Sequence, residues 1–483
     1  MRPLVNPSLL PLLSLMSSAR RHLHAVVAAA IVCCFLLLTA MLRLPQAPSF
    51  VVPRIVIDNA ACSANDAMPR PNLRQSDGEQ SLFRQNLTVF SHSTLSFRDN
   101  LWSDKNYITT WGSAGFTNDF MAYMNLIYLA MMTDRIPIIP PPSFSHHVDT
   151  REKLYFNQVF NVSSFSASLR WPILDWSEVK NPESEHPDII GCWSTWERGA
   201  PEKQPRWSSV TEILFIDPSY TTTPTWASFG PPGWPPRISA VSGLAYPQGR
   251  QWALENEKPV PSRHEKHELL PDEHLFCMDY IFYAGLAFPK DMFGVEWSPG
   301  WRNVARHAHF NEPLLEAGRR YIRRLFGTSE EGTTPHFIAV HIRRQDFESW
   351  CGDGAADDCL APPSAYHVRV KEVQEELLTK KGIHVEHVVF SSDDKDSSLY
   401  WKEVESFGWR RLALEDDDAE MDLRRTLGSW TSTIMDAAIQ SLAIGFVGTE
   451  LSTFSLLSTH RVEEWNGGVT RGVKWGQKGA DEH

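Results

Sequence analysis

His336-Phe337-Ile338-Ala339-Val340-His341-Ile342-Arg343-Arg344-Gln345-Asp346 is the stretch that decides the architecture. Its first seven residues form a short apolar run of the kind found in buried strands. The run passes straight into two arginines and an aspartate, an unusual ending for a buried strand. Downstream the pattern alternates. Residues 362–380 predict a helix with Val370, Val373 and Leu377 on one side. Residues 387–392 predict a strand, 397–407 a helix, 409–414 a strand, 430–442 a helix and 443–448 a further strand. Strands alternating with helices imply an α/β fold with a parallel sheet and helices on both faces. On such sheets ligands bind at the carboxyl ends of the strands.

Three loops lie where that rule places a ligand. The first is the Arg343-Arg344-Gln345-Asp346 turn. Arginine presents a planar fork of donors that suits a diphosphate and stays charged at physiological pH. A structural Arg-Asp ion pair at a strand end explains the same residues equally well. The second is Gly448-Thr449-Glu450-Leu451-Ser452-Thr453-Phe454-Ser455, where hydroxyl residues meet a helix N-terminus. That arrangement can hold an anion, and it also makes an ordinary helix cap. The third is Gly112 to Asn118, whose small residues allow close approach to the backbone. A helix follows it, with Phe120, Met124, Ile127 and Met131 on one face, and then an apolar strand over 135–140. Residues 181–265, rich in Pro, Trp, Gly and Ser, read as elaborated loops that shape an acceptor site. A helix over 313–326 carries Arg319, Arg320, Arg323 and Arg324 on a solvated face.

Taken together, these stretches resemble the GDP-fucose protein O-fucosyltransferase-like family. Ala114-Gly115-Phe116-Thr117-Asn118 is similar to the family's small-residue loop before its first helix. His341-Ile342-Arg343-Arg344-Gln345-Asp346-Phe347 resembles the H-x-R-R-x-D-F signature. Phe390-Ser391-Ser392-Asp393-Asp394 resembles the later strand that ends in a hydroxyl-Asp pair. Ile434-Met435-Asp436, with Gly448-Thr449 and Ser452-Thr453-Phe454-Ser455, resembles the closing donor-site motif. The resemblance implies two facing Rossmann-like domains, GT-B-like, with a nucleotide-sugar donor in the cleft between them. It implies an inverting transfer of fucose from GDP-fucose to a protein or glycan hydroxyl, with no metal and no other cofactor. Arg343 and Asp346 would be the catalytic residues, Arg343 holding the β-phosphate and Asp346 supporting the arginine and the sugar region. His341 and Asp436 would contact the nucleoside. Ser452, Thr453 and Phe454 would line the phosphate and base pocket, with Gly115, Phe116 and Asn118 facing the donor. Thr117 and Asp119 stand where the family carries Asn and Gln. That departure leaves room for a catalytically silent, membrane-anchored nucleotide-sugar-binding protein. A transferase of the same fold using another nucleotide sugar is the remaining alternative.

Composition narrows the setting. The chain is 42% hydrophobic and 22% charged, which suits globular domains rather than disorder. A net charge of -12 argues against general nucleic-acid binding. Residues 25–42, AVVAAAIVCCFLLLTAML, form one apolar run just long enough to cross a bilayer. Arg20 and Arg21 before it predict a cytosolic N-terminus and a lumenal remainder, in the Golgi or endoplasmic reticulum. The expected organisation is a cytosolic tail (1–24), a transmembrane anchor (25–42) and a stem (43–104). An N-terminal Rossmann-like domain with acceptor-side loops (105–310), a C-terminal donor-binding domain (311–470) and a tail (471–483) follow. Asn86 and Asn161 open glycosylation sequons. No Cys-x-x-Cys pair indicates zinc. In an oxidising lumen Cys351 and Cys359 are spaced to close a short loop. The acidic run 415–418 resembles a metal-holding DxD motif only superficially, sitting among other solvated charges.

Overall fold

The apolar runs of the chain pair into two sheets. In the N-terminal half these are β1 (Tyr107–Thr110), β2 (Ile136–Ile139), β3 (Leu174–Asp175), β4 (Asp188–Ser194), β5 (Ile216–Thr222), β6 (Pro259–Val260) and β7 (Leu275–Met278). Their order is β3-β2-β1-β7-β4-β5-β6. All neighbours run parallel except β6, which is antiparallel to β5. Helix α1 (Phe116–Thr133) follows β1. This structure is a computed structural model. It describes residues 88–144, 152–196, 204–230, 236–285, 299–329, 332–352, 356–394, 399–413 and 418–481. All of them belong to the unit spanning residues 74–483. The apolar run 25–42, the sequon at Asn86, Cys33, Cys34 and Cys62, and the acidic residues 415–417 lie outside the described residues. Among the described residues no helix is long and apolar enough to cross a membrane.

The C-terminal half is built from α2 (Glu312–Leu325), β8 (Phe337–Ile342), α3 (Pro363–Lys381), β9 (His387–Ser392), α4 (Leu399–Ser406), β10 (Arg410–Arg411), α5 (Asp418–Leu427), α6 (Thr431–Ser441), β11 (Gly445–Thr449), α7 (Thr453–Asn466) and β12 (Val469–Val473). The strand order is β10-β9-β8-β11-β12, parallel throughout. Every residue of β8 is buried, because helices cover both faces of the sheet. Val370, Val373 and Leu377 of α3 pack on it in one cluster with Ile338 and Val340. Burying each such side chain contributes about 1.5–3 kcal/mol, so a charge at Ile338 would unseat the sheet. From β8 the chain steps outward to β9 and β10, then returns to β11 on the other side of β8. That reversal opens a crevice at the carboxyl ends of β8 and β11.

Several sequence expectations need correction. Residues 181–265 are not only loops, since they supply β4 and β5 to the first sheet. Their polar residues hide the strands from a hydrophobicity reading. In the fold those groups are bonded to distant partners, as Asp217 is to Ser262 at 2.6 Å and Ser219 to the His267 carbonyl at 2.6 Å. The small-residue loop ends earlier than expected, because α1 already begins at Phe116. Strand β12 had no counterpart in the reading, and β10 is only two residues long. On α2, Arg323 is buried rather than solvated and pairs with Glu316 at 2.8 Å.

Candidate functional site

The carboxyl end of β8 delivers Arg343 into a cleft of about 1270 Å³. Its backbone N–H donates to Thr449 Oγ1 at 2.9 Å, which ties the turn to the end of β11. Its guanidinium forks onto Asp346, Nε to Oδ1 at 2.7 Å and Nη2 to Oδ2 at 2.8 Å. Asp393, at the end of β9, lies 3.3 Å from the same Nε. Asp393 also accepts the backbone N–H groups of Arg344 at 2.9 Å and Gln345 at 3.1 Å. The turn is therefore clamped by one carboxylate that the sequence placed in a motif without a role. Arg344 leans on the Tyr400 ring, 4.0 Å from its centroid, and lies 3.6 Å from Asp394.

His341 stands two residues before Arg343 and is buried. Its Nδ1 lies 2.8 Å from Ser455 Oγ in the first turn of α7. Its ring is 4.8 Å from that of Phe454. Burial, reinforced by the neighbouring Arg343 charge, pushes its pKa down to about 3, so the imidazole is neutral at physiological pH. Gly448 makes this approach feasible, because a Cβ there would lie 2.6 Å from the Ser455 Cβ. Ser452 caps α7, accepting from the Ser455 N–H. The free N–H groups and positive end of a 14-residue helix thus point at the crevice beside Arg343.

The first sheet closes the cleft from the other side. Gly115 takes φ 92 as the cap of α1, a conformation that needs glycine. The loop before it is organised by Asp119. This buried carboxylate accepts from Ser113 N at 2.9 Å, Ala114 N at 3.2 Å, and Ser143 N and Oγ, both at 2.7 Å. Burial raises its pKa to about 6 despite those donors. Asp119 is thus a loop-shaping residue sealed away from solvent. Phe116 is mainly a core residue at the cleft border, its ring 6.5 Å from that of Trp430. Thr117 and Asn118 reach across the cleft. Thr453 Oγ1 lies 2.9 Å from Thr117 Oγ1 and donates to Asn118 Oδ1 at 2.6 Å.

Asp436 of α6 completes the lining. It is half-buried at the cleft wall, and desolvation pushes its pKa up to about 7, with the Arg411 charge pulling the other way. No hydrogen-bond partner for it exists among the described residues. Arg206 supplies a cation on the first-sheet side, donating to Ser113 Oγ at 2.9 Å and lying 4.5 Å over the Trp196 ring. The sequence reading missed it, because it sits in an aperiodic Pro- and Trp-rich stretch where nothing marks one arginine from another.

The structure thus gathers Gly115, Phe116, Asn118, His341, Arg343 and Asp346 around one cleft. Asp436, Ser452, Thr453 and Phe454 border the same space. Asn161 is elsewhere, exposed at the cap of a short helix with its Oδ1 accepting from Ser164 N at 3.0 Å. Cys351 and Cys359 are joined in a disulfide. A second disulfide, Cys192–Cys277, which the sequence reading did not pair, links the neighbouring strands β4 and β7. Among the described residues no group of three or more His, Cys, Asp or Glu side chains could hold a metal ion. A fixed arginine, a helix N-terminus, a neutral imidazole and a desolvated carboxyl at the wall suit a ligand with a diphosphate at one end and a hydrogen-bonding ring at the other.

A family model described as GDP-fucose protein O-fucosyltransferase matches residues 107–463. No curated protein matches the chain. Among solved structures, the chain is similar to POFUT1 in complex with GDP-fucose. The identity is 16% and the TM-score 0.45, covering 78% of this chain and 99% of that one. It is also similar to the NodZ alpha-1,6-fucosyltransferase soaked with GDP-fucose, at 13% identity and a TM-score of 0.37, covering 74% of this chain and 93% of that one. For the fucosyltransferase NodZ from Bradyrhizobium the values are 12% and 0.36, covering 73% and 92%. At these identities the likeness is one of fold.

Proposed function

The chain belongs to the GDP-fucose protein O-fucosyltransferase family and is a GDP-fucose-dependent glycosyltransferase, and from that premise we propose that it carries out an inverting transfer of fucose to a protein or glycan hydroxyl in the secretory pathway. In this reading Arg343 and the N-terminus of α7, capped by Ser452, hold the diphosphate. Thr453 and Phe454 border the phosphate and base. Asp436, as a carboxylate, accepts the N–H edge of guanine, and neutral His341, its Nδ1 engaged by Ser455, offers Nε2 to the nucleoside. Gly115 and Asn118 face the sugar. The acceptor oxygen attacks the anomeric carbon from the face opposite the leaving group. The bond from that carbon to the β-phosphate oxygen breaks, GDP departs with the electron pair, and the acceptor hydroxyl's proton passes to solvent water. Charge then grows on the β-phosphate, where a fixed guanidinium stabilises the transition state more than the ground state.

One observation carries this assignment: Arg343 and the α7 N-terminus converge at the crevice where the strand order reverses. Asp346 is already bonded to the guanidinium, so its part is to orient Arg343 rather than to accept a proton. The apolar run 25–42 is proposed as the membrane anchor, in the Golgi or endoplasmic reticulum. The test is a donor screen on the purified protein, scoring binding, hydrolysis and transfer with GDP-fucose against other nucleotide sugars. Preference for a different nucleotide would overturn the donor assignment. Binding without hydrolysis or transfer would replace the enzyme with a silent binder.

A further inference from the structure

The cleft has a rim that the donor does not account for. Immediately after the Arg343 turn, Phe347–Cys351 forms a 3₁₀ helix. Three residues per turn place Phe347 and Trp350 on the same side, and their rings stack with centroids 5.1 Å apart. Trp475 packs 4.5 Å from Phe347 and 6.0 Å from Trp350, and its indole N–H is anchored on the Glu450 carbonyl at 2.8 Å. Phe347 is buried at the base of this cluster. Trp350 is 64% exposed, although it is backed by two rings and lines the cleft. An indole held rigid from behind presents a flat apolar face to the cleft.

The chemistry beside the ring indicates what that is. Gln345 and Glu348, both exposed, border the same part of the cleft. A flat apolar surface flanked by an amide and a carboxylate matches a pyranose, whose C–H face packs on an aromatic ring while its hydroxyls seek donors and acceptors at the edge. A pyranose can meet the ring face and both edge groups at once, because its hydroxyls radiate around the ring that stacks. The platform is also close to the reacting end of the cleft, since Arg343 lies 5.9 Å from the centroid of Phe347. That spacing suits an acceptor sugar that binds on Trp350 and offers a hydroxyl to the donor.

We propose that Trp350, with Gln345 and Glu348, forms the acceptor subsite and that the acceptor is a carbohydrate whose ring stacks on the indole. This rests on the donor assignment of the cleft, and the experiment keeps the two apart. A panel of hexose- and N-acetylhexosamine-containing oligosaccharides and a panel of unglycosylated Ser/Thr peptides are tested against the full-length protein, with GDP present. Saturation-transfer NMR reads binding, and labelled GDP-fucose reads transfer. An oligosaccharide should bind, with its ring protons saturated most strongly. Trp350→Ala should weaken that binding about tenfold, and Trp350→Phe should restore most of it. Calorimetric titration of GDP into the same samples shows whether the cleft is still formed. Failure of GDP to bind the wild type would remove the donor assignment instead. Binding or transfer confined to peptides would overturn the proposal. So would absence of oligosaccharide binding to the wild type, or oligosaccharide binding that Trp350→Ala leaves unchanged.

Discussion

Arg343 is held by two carboxylates and also faces the cleft, so its loss has two separable consequences. As a donor to the β-phosphate it meets charge that grows as the fucose–oxygen bond breaks. Arg343→Ala should then lower turnover about 10²–10³-fold, the scale of removing one preorganised donor. Arg343→Lys should recover only part, because a point charge does not copy a planar fork. As a structural ion pair it would instead lower the melting temperature and spare turnover in the folded fraction. Measuring both on one variant decides, and normal turnover with lost stability would take Arg343 out of the mechanism. Asp436 supplies a second residue-scale prediction. Its pKa is raised to about 7, so the carboxylate that accepts N–H donors forms only as pH climbs through neutrality. GDP affinity should tighten from pH 6 to pH 8 in the wild type and be flat in Asp436→Asn. Calorimetry at several pH values checks this, and an unchanged pH profile in the variant assigns the titration to another group. The same shift makes a stability contribution of the opposite sense. With a folded pKa above the unfolded value, that contribution is complete below about pH 4 and is lost as pH rises through 7. The Arg343 turn was legible because four polar residues directly follow an apolar run. Arg206 was not, because its role comes from Ser113 and Trp196, which are distant in sequence.

Two disulfides cross-link the described elements. Cys192–Cys277 spans 85 residues and binds β4 to β7 within the first sheet. Cys351–Cys359 spans 8 residues beside the cleft. Restricting the unfolded chain stabilises more for the longer loop, about 4.5 against about 2.5 kcal/mol. Replacing both cysteines of the long-range pair by serine should therefore lower the melting temperature further than the same change in the short-range pair. Equal losses in thermal unfolding would show that the chain-entropy argument does not govern this fold. The short pair was visible from its spacing. The long pair was not, because β4 and β5 carry buried polar residues whose satisfaction depends on tertiary partners. By contrast, β8, β9 and α3 were read nearly to the residue, since burial on both faces of a parallel sheet leaves an unbroken apolar signature.

At the scale of the whole molecule, the cleft exists only because two sheets present their carboxyl ends to each other. Thr117 and Asn118 of one half meet Thr453 of the other. With the cationic role given to Arg343 and a helix end, transfer should survive EDTA. Loss of activity on chelation, restored by Mn²⁺, would redirect attention to the acidic residues near Asp417. The run 25–42 follows two arginines and lacks a good small-x-small cleavage site. The protein should fractionate with membranes, and glycosidase treatment should lower its apparent mass if Asn86 or Asn161 is used. A mature N-terminus located beyond residue 40 would sink the anchor.

The linear chain by itself determined the class of fold and the position of the Arg343 turn at a strand end. Hydrophobic period and the residue types at strand ends are local properties, and they survive without knowledge of neighbours. Tertiary structure alone decided the rest. It neutralised His341 by burial, raised the pKa of Asp436 and sealed Asp119 beneath the first loop. It also brought Trp475 under Trp350 at the rim. Each of these outcomes depends on desolvation or on contact between residues far apart in sequence, and neither is encoded in any single stretch of chain.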